Sequence, residues 1–198
     1  MDESGRGFLL AIAVIAIAGS IIFLEGQKPV QPTPASKQFP LQNAQTPLVG
    51  NASAYELKKA KYPLAIELVA PQGYINLPQG KTNTTIGELA GKKVVLVDFW
   101  TYSCINCQRT IPYLNAWYEK YRGAGLEIIG VHTPEFEFEK DYVNVQAAVL
   151  KYGIRYPVVQ DNDYATWTAY RNRYWPHKYL VDIDGFIVYD HIGEGGYE

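Results

Sequence analysis

The 198-residue chain is 47% hydrophobic, 14% aromatic and 19% charged, a balance that supports a sizeable globular core and excludes a disordered polymer. Its formal net charge of -2, with neither a basic stripe nor a polyacidic tail, argues against a nucleic-acid partner. The only two cysteines, Cys104 and Cys107, would close too short a loop to constrain the unfolded chain, so a stabilising disulfide is a poor explanation for them.

In chain order, the first distinctive segment is Phe8 to Leu24, FLLAIAVIAIAGSIIFL, seventeen residues without a charge. That length stands at the lower limit for crossing roughly 30 Å of hydrocarbon. A cleaved signal peptide has a shorter apolar core of about 7 to 15 residues. Here the run continues through Ile21-Ile22-Phe23-Leu24, past the small residues Ala18-Gly19-Ser20, which favours a retained anchor. A buried core helix fits less well, because the segment is apolar all round and leads into a long polar stretch. Residues 1–24 are therefore expected to be a short tail and one N-terminal transmembrane helix, meeting the membrane through residues 8–24. Arg6 is offset by Asp2 and Glu3, and Lys28 and Lys37 flank the other side, so local charge leaves the orientation open. A cytoplasmic tail with the rest of the chain on the extracytoplasmic side of the cell membrane is expected, since a dithiol/disulfide couple is useful there.

Residues 25–54 shift to Gln, Pro, Lys, Thr and Ala, with Pro29, Pro32, Pro34, Pro40 and Pro47, and read as a linker. Such a segment extends by about 3.1 Å per residue and has no core of its own. The sequons at Asn51 and Asn83 are given no role.

Residues 55–198 carry the globular domain. Ala65–Ala70 and Tyr74–Leu77 are expected as short strands around Pro71-Gln72-Gly73, and Thr85–Leu89 as one helical turn before Gly91. The continuous apolar run Val94–Trp100 predicts a buried strand, followed by a helix over Ile105–Tyr121 that places Ile111, Leu114, Trp117, Tyr118 and Tyr121 on its core side. Next are a strand at Leu126–His132, a helix at Phe138–Tyr152, a short strand at Tyr156–Val159 and a helix at Asn162–Arg171. Tyr179–Asp182 and Gly185–His191 should form an antiparallel hairpin about Asp184-Gly185. Strands alternating with helices, then a hairpin, give an α/β sandwich with a mixed central sheet and no internal repeat. The sequence stops at Gly195-Gly196-Tyr197-Glu198 without the closing helix this layout would want, so a truncation there is expected.

A strand that delivers Cys104-Ile105-Asn106-Cys107 to the start of a helix is the layout of a thiol/disulfide redox site. Unpaired N–H groups and the positive dipole end of the first turn favour a thiolate. Cys104 is expected there as the exposed nucleophile, with Cys107 one turn on, more buried, to resolve the mixed disulfide. Asp98, six residues before Cys104 on a buried strand, would have its pKa raised by desolvation and would accept the proton of Cys107 directly or through a water.

These residues resemble the thioredoxin superfamily, and within it the membrane-anchored TlpA-like and DipZ-like thiol-disulfide oxidoreductases with a redoxin domain. Val97-Asp98-Phe99-Trp100 is similar to the superfamily's strand motif, and Pro112, five residues after Cys107, matches the proline that kinks the active-site helix. Trp175-Pro176-His177-Lys178-Tyr179-Leu180-Val181-Asp182 resembles the segment that carries the cis-proline. The resemblance covers roughly residues 65 to 195. It implies a thioredoxin-like three-layer sandwich, with Pro176 beside the cysteines and the backbone before it free to pair with substrate. It also implies a reducing role on protein disulfides, with electrons from a membrane thiol transporter passed to proteins such as apocytochromes, and no cofactor beyond the reversible Cys104–Cys107 disulfide. Tyr102 and Trp175 are candidates to line the substrate groove. Two positions depart from the pattern: Ser103 stands where thioredoxin has tryptophan, and Thr110 where some TlpA-like reductants have glutamate.

Other chemistries fit less well. A zinc half-site would need two of the isolated His132, His177 and His191. Copper carriage of the thioredoxin-fold kind would favour three residues between the cysteines. A peroxidase motif P-x-x-x-T-x-x-C is met at Thr101 but has Val97 at the proline position. A soft-metal chaperone using the same dithiol is the alternative from a different functional class. His132 and the Glu135–Glu139 stretch read as a loop with solvated charges, and Trp117, Tyr118 and Tyr121 as core.

Overall fold

The structure, a computed structural model, describes residues 53–198. The expected anchor and nearly all of the linker lie outside the described residues, and among the described residues no helix is long and apolar enough to cross a membrane.

A six-stranded mixed sheet organises the fold, with strand order β1-β4-β3-β2-β5-β6 for β1 (Gly73–Ile75), β2 (Val94–Trp100), β3 (Leu126–His132), β4 (Val158–Gln160), β5 (His177–Val181) and β6 (Ile187–Ile192). The central strands β2, β3 and β4 run parallel, while β1, β5 and β6 pair antiparallel at the two edges. Six of the seven β2 residues are buried, as expected of a central parallel strand covered on both faces. One face meets α3 (Ile105–Tyr121) and α4 (Tyr142–Lys151) through Leu96, Trp100, Ile111, Leu114, Val145 and Val149. The other meets α2 (Ile86–Leu89) and α5 (Ala165–Ala169) through Val95, Val97, Phe99, Ile86 and Trp167. The layers of the thioredoxin-like sandwich are thus present.

Several elements differ from the sequence expectation. Helix α1 (Ala54–Lys61), capped by the Ser53 side chain, was not anticipated from its polar composition. Residues 65–70 form no strand. An isolated bridge to Phe186 stands just before them at Leu64, the Ala65 N–H donates to the Gly185 carbonyl at 2.9 Å, and the Val69 N–H donates to the Thr166 hydroxyl at 3.0 Å instead of joining a ladder. Strand β1 ends at Ile75 because Asn76 turns the chain at φ 59 and sends its amide to the Ile154 carbonyl. The expected helix from Phe138 divides into a 3-10 turn (Glu137–Lys140) and α4, separated by Asp141, whose carboxylate accepts from the Val143 and Asn144 N–H groups and so starts a new helix. Helix α5 begins only at Ala165, after Tyr164 at φ 59. Tyr121, expected in the core, is exposed, while Trp117 and Tyr118 pack half-buried against it.

Candidate active site

Strand β2 and helix α3 meet at Thr101–Cys104. Cys104 occupies the N-cap position of α3 and no side chain caps the helix. Its first-turn N–H groups are therefore left to the sulfur. Cys104 is half-buried and Cys107 is 1% exposed, and both are free thiols. Hydrogen bonding from the Cys107 thiol, assisted by the backbone N–H groups of Cys107 and Asn106, brings the Cys104 pKa down to about 6, against the opposing effects of burial and Glu135. Burial pushes the Cys107 thiol strongly up, and its hydrogen bond to Cys104 and the charge of Asp98 add to the shift. One sulfur is a thiolate at neutral pH and the other holds its proton.

Asp98 lies beneath this pair on the α3 face of β2, in register with Lys178 of β5 on one side and Gly130 of β3 on the other. It is 1% exposed, and burial raises its carboxyl to about 7, with Lys178 pulling the value down and Cys104 pushing it up. Lys178 is itself buried; its Nζ donates to the Gly193 carbonyl at 2.7 Å, and burial lowers its pKa. Tyr156 is fully buried on the same face, and burial, with the nearby Asp98 adding to it, pushes its hydroxyl pKa well up. The sheet makes room for these groups at Gly130, where a Cβ would come within 2.9 Å of Trp100 Nε1 and 3.2 Å of Tyr156 Cε2.

The loop before β5 closes the site from above. The Trp175–Pro176 peptide bond is cis, and the Cys104 thiol points to the Trp175 carbonyl at 3.9 Å. The Trp175 indole packs on Trp167 with centroids 4.2 Å apart and donates to the Thr133 carbonyl at 3.0 Å, tying this loop to the exit of β3. The Tyr102 hydroxyl donates to the Phe138 carbonyl at 3.1 Å and its ring stacks on His132. Cys104, Cys107, Asp98, Tyr102, Trp175 and Pro176 are thus gathered at one end of the sheet. The Thr101 hydroxyl faces His132 Nε2 at 3.4 Å in the interior. The three histidines are separately engaged: His132 with Thr101 and Tyr102, His177 with Asn172, Tyr179 and Asp190, and His191 with Tyr189.

Two residues assigned to solvent belong to the interior. Burial holds His132 neutral, with its pKa down to about 4. Glu139 is fully buried, its Oε1 accepting from the Ser103 hydroxyl and N–H at 2.5 and 3.3 Å and its Oε2 from the N–H groups of Glu135 and Phe136 at 2.6 and 3.0 Å. Burial alone would raise this carboxyl, but the hydrogen bonds from Ser103, Thr101 and the backbone outweigh it and leave the group ionised. Glu139 therefore clamps the residue before the nucleophile to the loop after β3. The alternation Glu135-Phe136-Glu137-Phe138-Glu139 concealed it, because nothing local distinguishes the inward carboxylate from the outward ones. Lys178 did leave a signal, a cation two residues after Pro176 and directly before the apolar run Tyr179-Leu180-Val181.

A thioredoxin-like sheet presenting an asymmetric dithiol at a helix start beside a cis-proline defines a thiol-disulfide oxidoreductase. The chain belongs to the AhpC/TSA family, whose model matches residues 67–190. It is 47% identical over 155 residues to Protein DipZ of Mycobacterium tuberculosis, an alignment covering 78% of this chain and 22% of that protein. Thus the chain spans about a fifth of the length of its DipZ relatives. It is 33% identical over 122 residues to the thiol-disulfide oxidoreductase ResA of Bacillus thuringiensis, covering 57% of this chain and 67% of that one. The solution structure of a thioredoxin-like protein in the oxidized form superposes with a TM-score of 0.62 at 27% identity, covering 68% of this chain and 87% of that one.

Proposed function

We propose that this protein is a membrane-tethered, extracytoplasmic reductase of protein disulfides. The Cys104 thiolate attacks one sulfur of a substrate disulfide, forming a mixed disulfide and releasing the other sulfur as a thiolate that takes up a proton. Cys107 gives its proton to the Asp98 carboxylate and attacks Cys104 Sγ, so the second substrate sulfur leaves as a thiolate that takes back the proton held by Asp98, and the protein is left with the Cys104–Cys107 disulfide. Two electrons pass to the substrate, with one proton from Cys107 by way of Asp98 and one from solvent, and a membrane thiol-electron transporter returns the electrons. The backbone before Pro176 pairs with the substrate segment, while Tyr102 and Trp175 line its path. Tethering rests on the uncharged stretch at residues 8–24 and the proline-rich linker after it.

The dithiol reading is carried by one observation: half-buried Cys104 stands at the uncapped start of α3, with Cys107 buried one turn on and the cis Trp175–Pro176 bond beside it. The reducing direction is what the family resemblance implies, and hydrogen bonding from Cys107 and the backbone lowers the Cys104 pKa, as a thiolate nucleophile needs. The test is the reduction potential of the Cys104/Cys107 couple in the full chain in mild detergent. A value near -270 mV, about that of thioredoxin, is expected, and one near about -120 mV overturns the reading. Cys104→Ser should abolish insulin reduction, and Cys107→Ser should accumulate the mixed disulfide. Wild-type protein that binds one soft metal ion tightly and shows no thiol-dependent turnover would instead be a metal carrier. Labelling of Cys104 in intact cells by a membrane-impermeant maleimide tests the compartment; protection in intact cells with labelling after lysis overturns it.

A further inference from the structure

Beside the nucleophile, the loop after β3 carries four consecutive exposed side chains, Glu135, Phe136, Glu137 and Phe138. Exposed aromatic rings are ordinarily scattered singly on a protein surface. Here the Phe136 and Phe138 rings stack nearly parallel, with centroids 5.5 Å apart and planes 7° from each other, both about half exposed. Phe138 in turn meets the Tyr102 ring at 6.2 Å. The ledge is held fast. Glu139 binds the Glu135 and Phe136 N–H groups and Ser103 with the same carboxylate, and the Phe138 carbonyl accepts from both Tyr102 Oη and Asn144 Nδ2. An apolar surface is thereby fixed to the residue preceding Cys104 at little cost in ordering when a partner docks.

The charge on the ledge is one-sided. Glu137 is paired with Lys140 at 2.7 Å and Asp141 is committed to capping α4, whereas Glu135 makes no ion pair among the described residues. Its carboxylate lies close enough to Cys104 to oppose ionisation of the thiol.

We infer that Glu135, Phe136 and Phe138 form a docking ledge that selects disulfide substrates carrying an apolar side chain and a cationic residue next to the reacting cysteine. This rests on the thiol-disulfide oxidoreductase reading and names the substrate class for that site. The apolar side chain packs on the phenylalanine pair, and the cation meets Glu135. Docking then both orients the disulfide over Cys104 and offsets the Glu135 charge, which opposes its thiolate. An acidic segment in the same place adds a second negative charge and is rejected.

The experiment compares two disulfide-cyclised peptides of identical sequence, each with a leucine beside one cysteine, that differ only in having lysine or glutamate next to that leucine. The full chain in mild detergent is assayed at low and high salt, with hydroxyethyl disulfide as a small neutral substrate. In wild type, kcat/KM should favour the lysine peptide by about fivefold, the scale of one exposed ion pair. The ratio should approach one in Glu135→Gln and at high salt, and fall below one in Glu135→Lys. Phe138→Ala should raise KM for both peptides several-fold with kcat nearly unchanged. A wild-type ratio of one, or a ratio that Glu135→Lys leaves in place, overturns the proposal. If hydroxyethyl disulfide is still reduced in a Cys104-dependent manner, only the ledge has failed; if no disulfide is reduced, the oxidoreductase reading has failed with it.

Discussion

The two faces of strand β2 are built from alternate residues of one seven-residue run and do opposite work. On the α5 side, Val95, Val97 and Phe99 enter an apolar layer in which the Phe99 ring meets Trp167, Tyr170 and Tyr179 at 5.9, 5.3 and 5.8 Å. On the α3 side, Leu96 and Trp100 flank Asp98, and the layer holds the Cys107 thiol, the Tyr156 hydroxyl and the Lys178 ammonium out of solvent. Asp98 Oδ1, Trp100 Nε1 and Tyr156 Oη there find no hydrogen-bond partner among the described residues. Buried polar atoms are normally paired, and leaving them unpaired costs stability. One face stabilises the sheet, and the other spends part of that stability on perturbed pKa values.

Truncation on the packed face should show the largest energetic effect. Phe99→Ala removes a fully buried ring, and the lost transfer energy and residual cavity should lower the unfolding free energy by about 3–5 kcal/mol in a urea titration. The thiolate midpoint of Cys104 in the folded fraction should stay where it was. A shift of that midpoint by more than half a unit would mean the two faces are not separable.

Asp98→Asn should do the reverse. Asp98 holds its proton to about pH 7 in the native protein and to about pH 3.9 in the unfolded chain. The native state therefore binds more protons between those values, and stability falls as pH rises through the window, by roughly 2–4 kcal/mol once the group is ionised. The asparagine variant should be more stable than wild type above pH 7, with the gap closing below pH 4. Resolution of the mixed disulfide should slow by about 10- to 100-fold, since the proton acceptor is gone. An unchanged resolution rate and pH profile in a stopped-flow assay would remove Asp98 from the mechanism.

The continuous run Val94–Trp100 announced a central strand but could not say which face each residue took, because a strand buried on both sides lacks the alternation that reveals a face. The Cys104/Cys107 spacing and Asp98 on the strand before it could be read from the residues themselves, whereas Pro112 and Pro176 were singled out only by the family resemblance; the structure puts Pro112 inside α3 and a cis bond before Pro176. Glu139 and His132 were not legible. Glu139 is buried by the loop after β3 folding back onto Ser103, a contact spanning 36 residues that no local pattern encodes, and His132 by the ladder that sets it beside Trp100 at the end of β3. Lys178 was visible as an oddity, yet its meaning required the antiparallel register that sets it opposite Asp98. The segment before β1 misled for a related reason: its β-prone residues have no neighbouring strand to pair with beyond Leu64, so propensity yields to context.

That register yields a finer test of the polar face. Lys178→Met keeps the apolar stem but removes the cation that restrains Asp98, so the carboxyl pKa should climb further, by about one unit. The pH at which resolution becomes half-maximal should follow it upward. A profile fixed at the wild-type pH would show that the Gly193 carbonyl, rather than Asp98, is the partner that matters to this lysine.

The smallest effect distinguishes interior electrostatics from the surface beside them. Glu135 opposes ionisation of Cys104 across an exposed loop, so Glu135→Gln should lower the thiolate midpoint only by a few tenths of a unit, measured by iodoacetamide reactivity against pH. At about 1 M salt the Debye length shrinks to roughly 3 Å, and this difference should vanish. The Lys178 shift should survive the same salt, because Asp98 and Lys178 are both buried and opposite each other on paired strands, and buried pairs are screened much less. Loss of both shifts in salt would place Asp98 in contact with solvent and erase the distinction between the polar face and the surface; persistence of both would mean Glu135 acts through the Glu139 clamp and not through its charge.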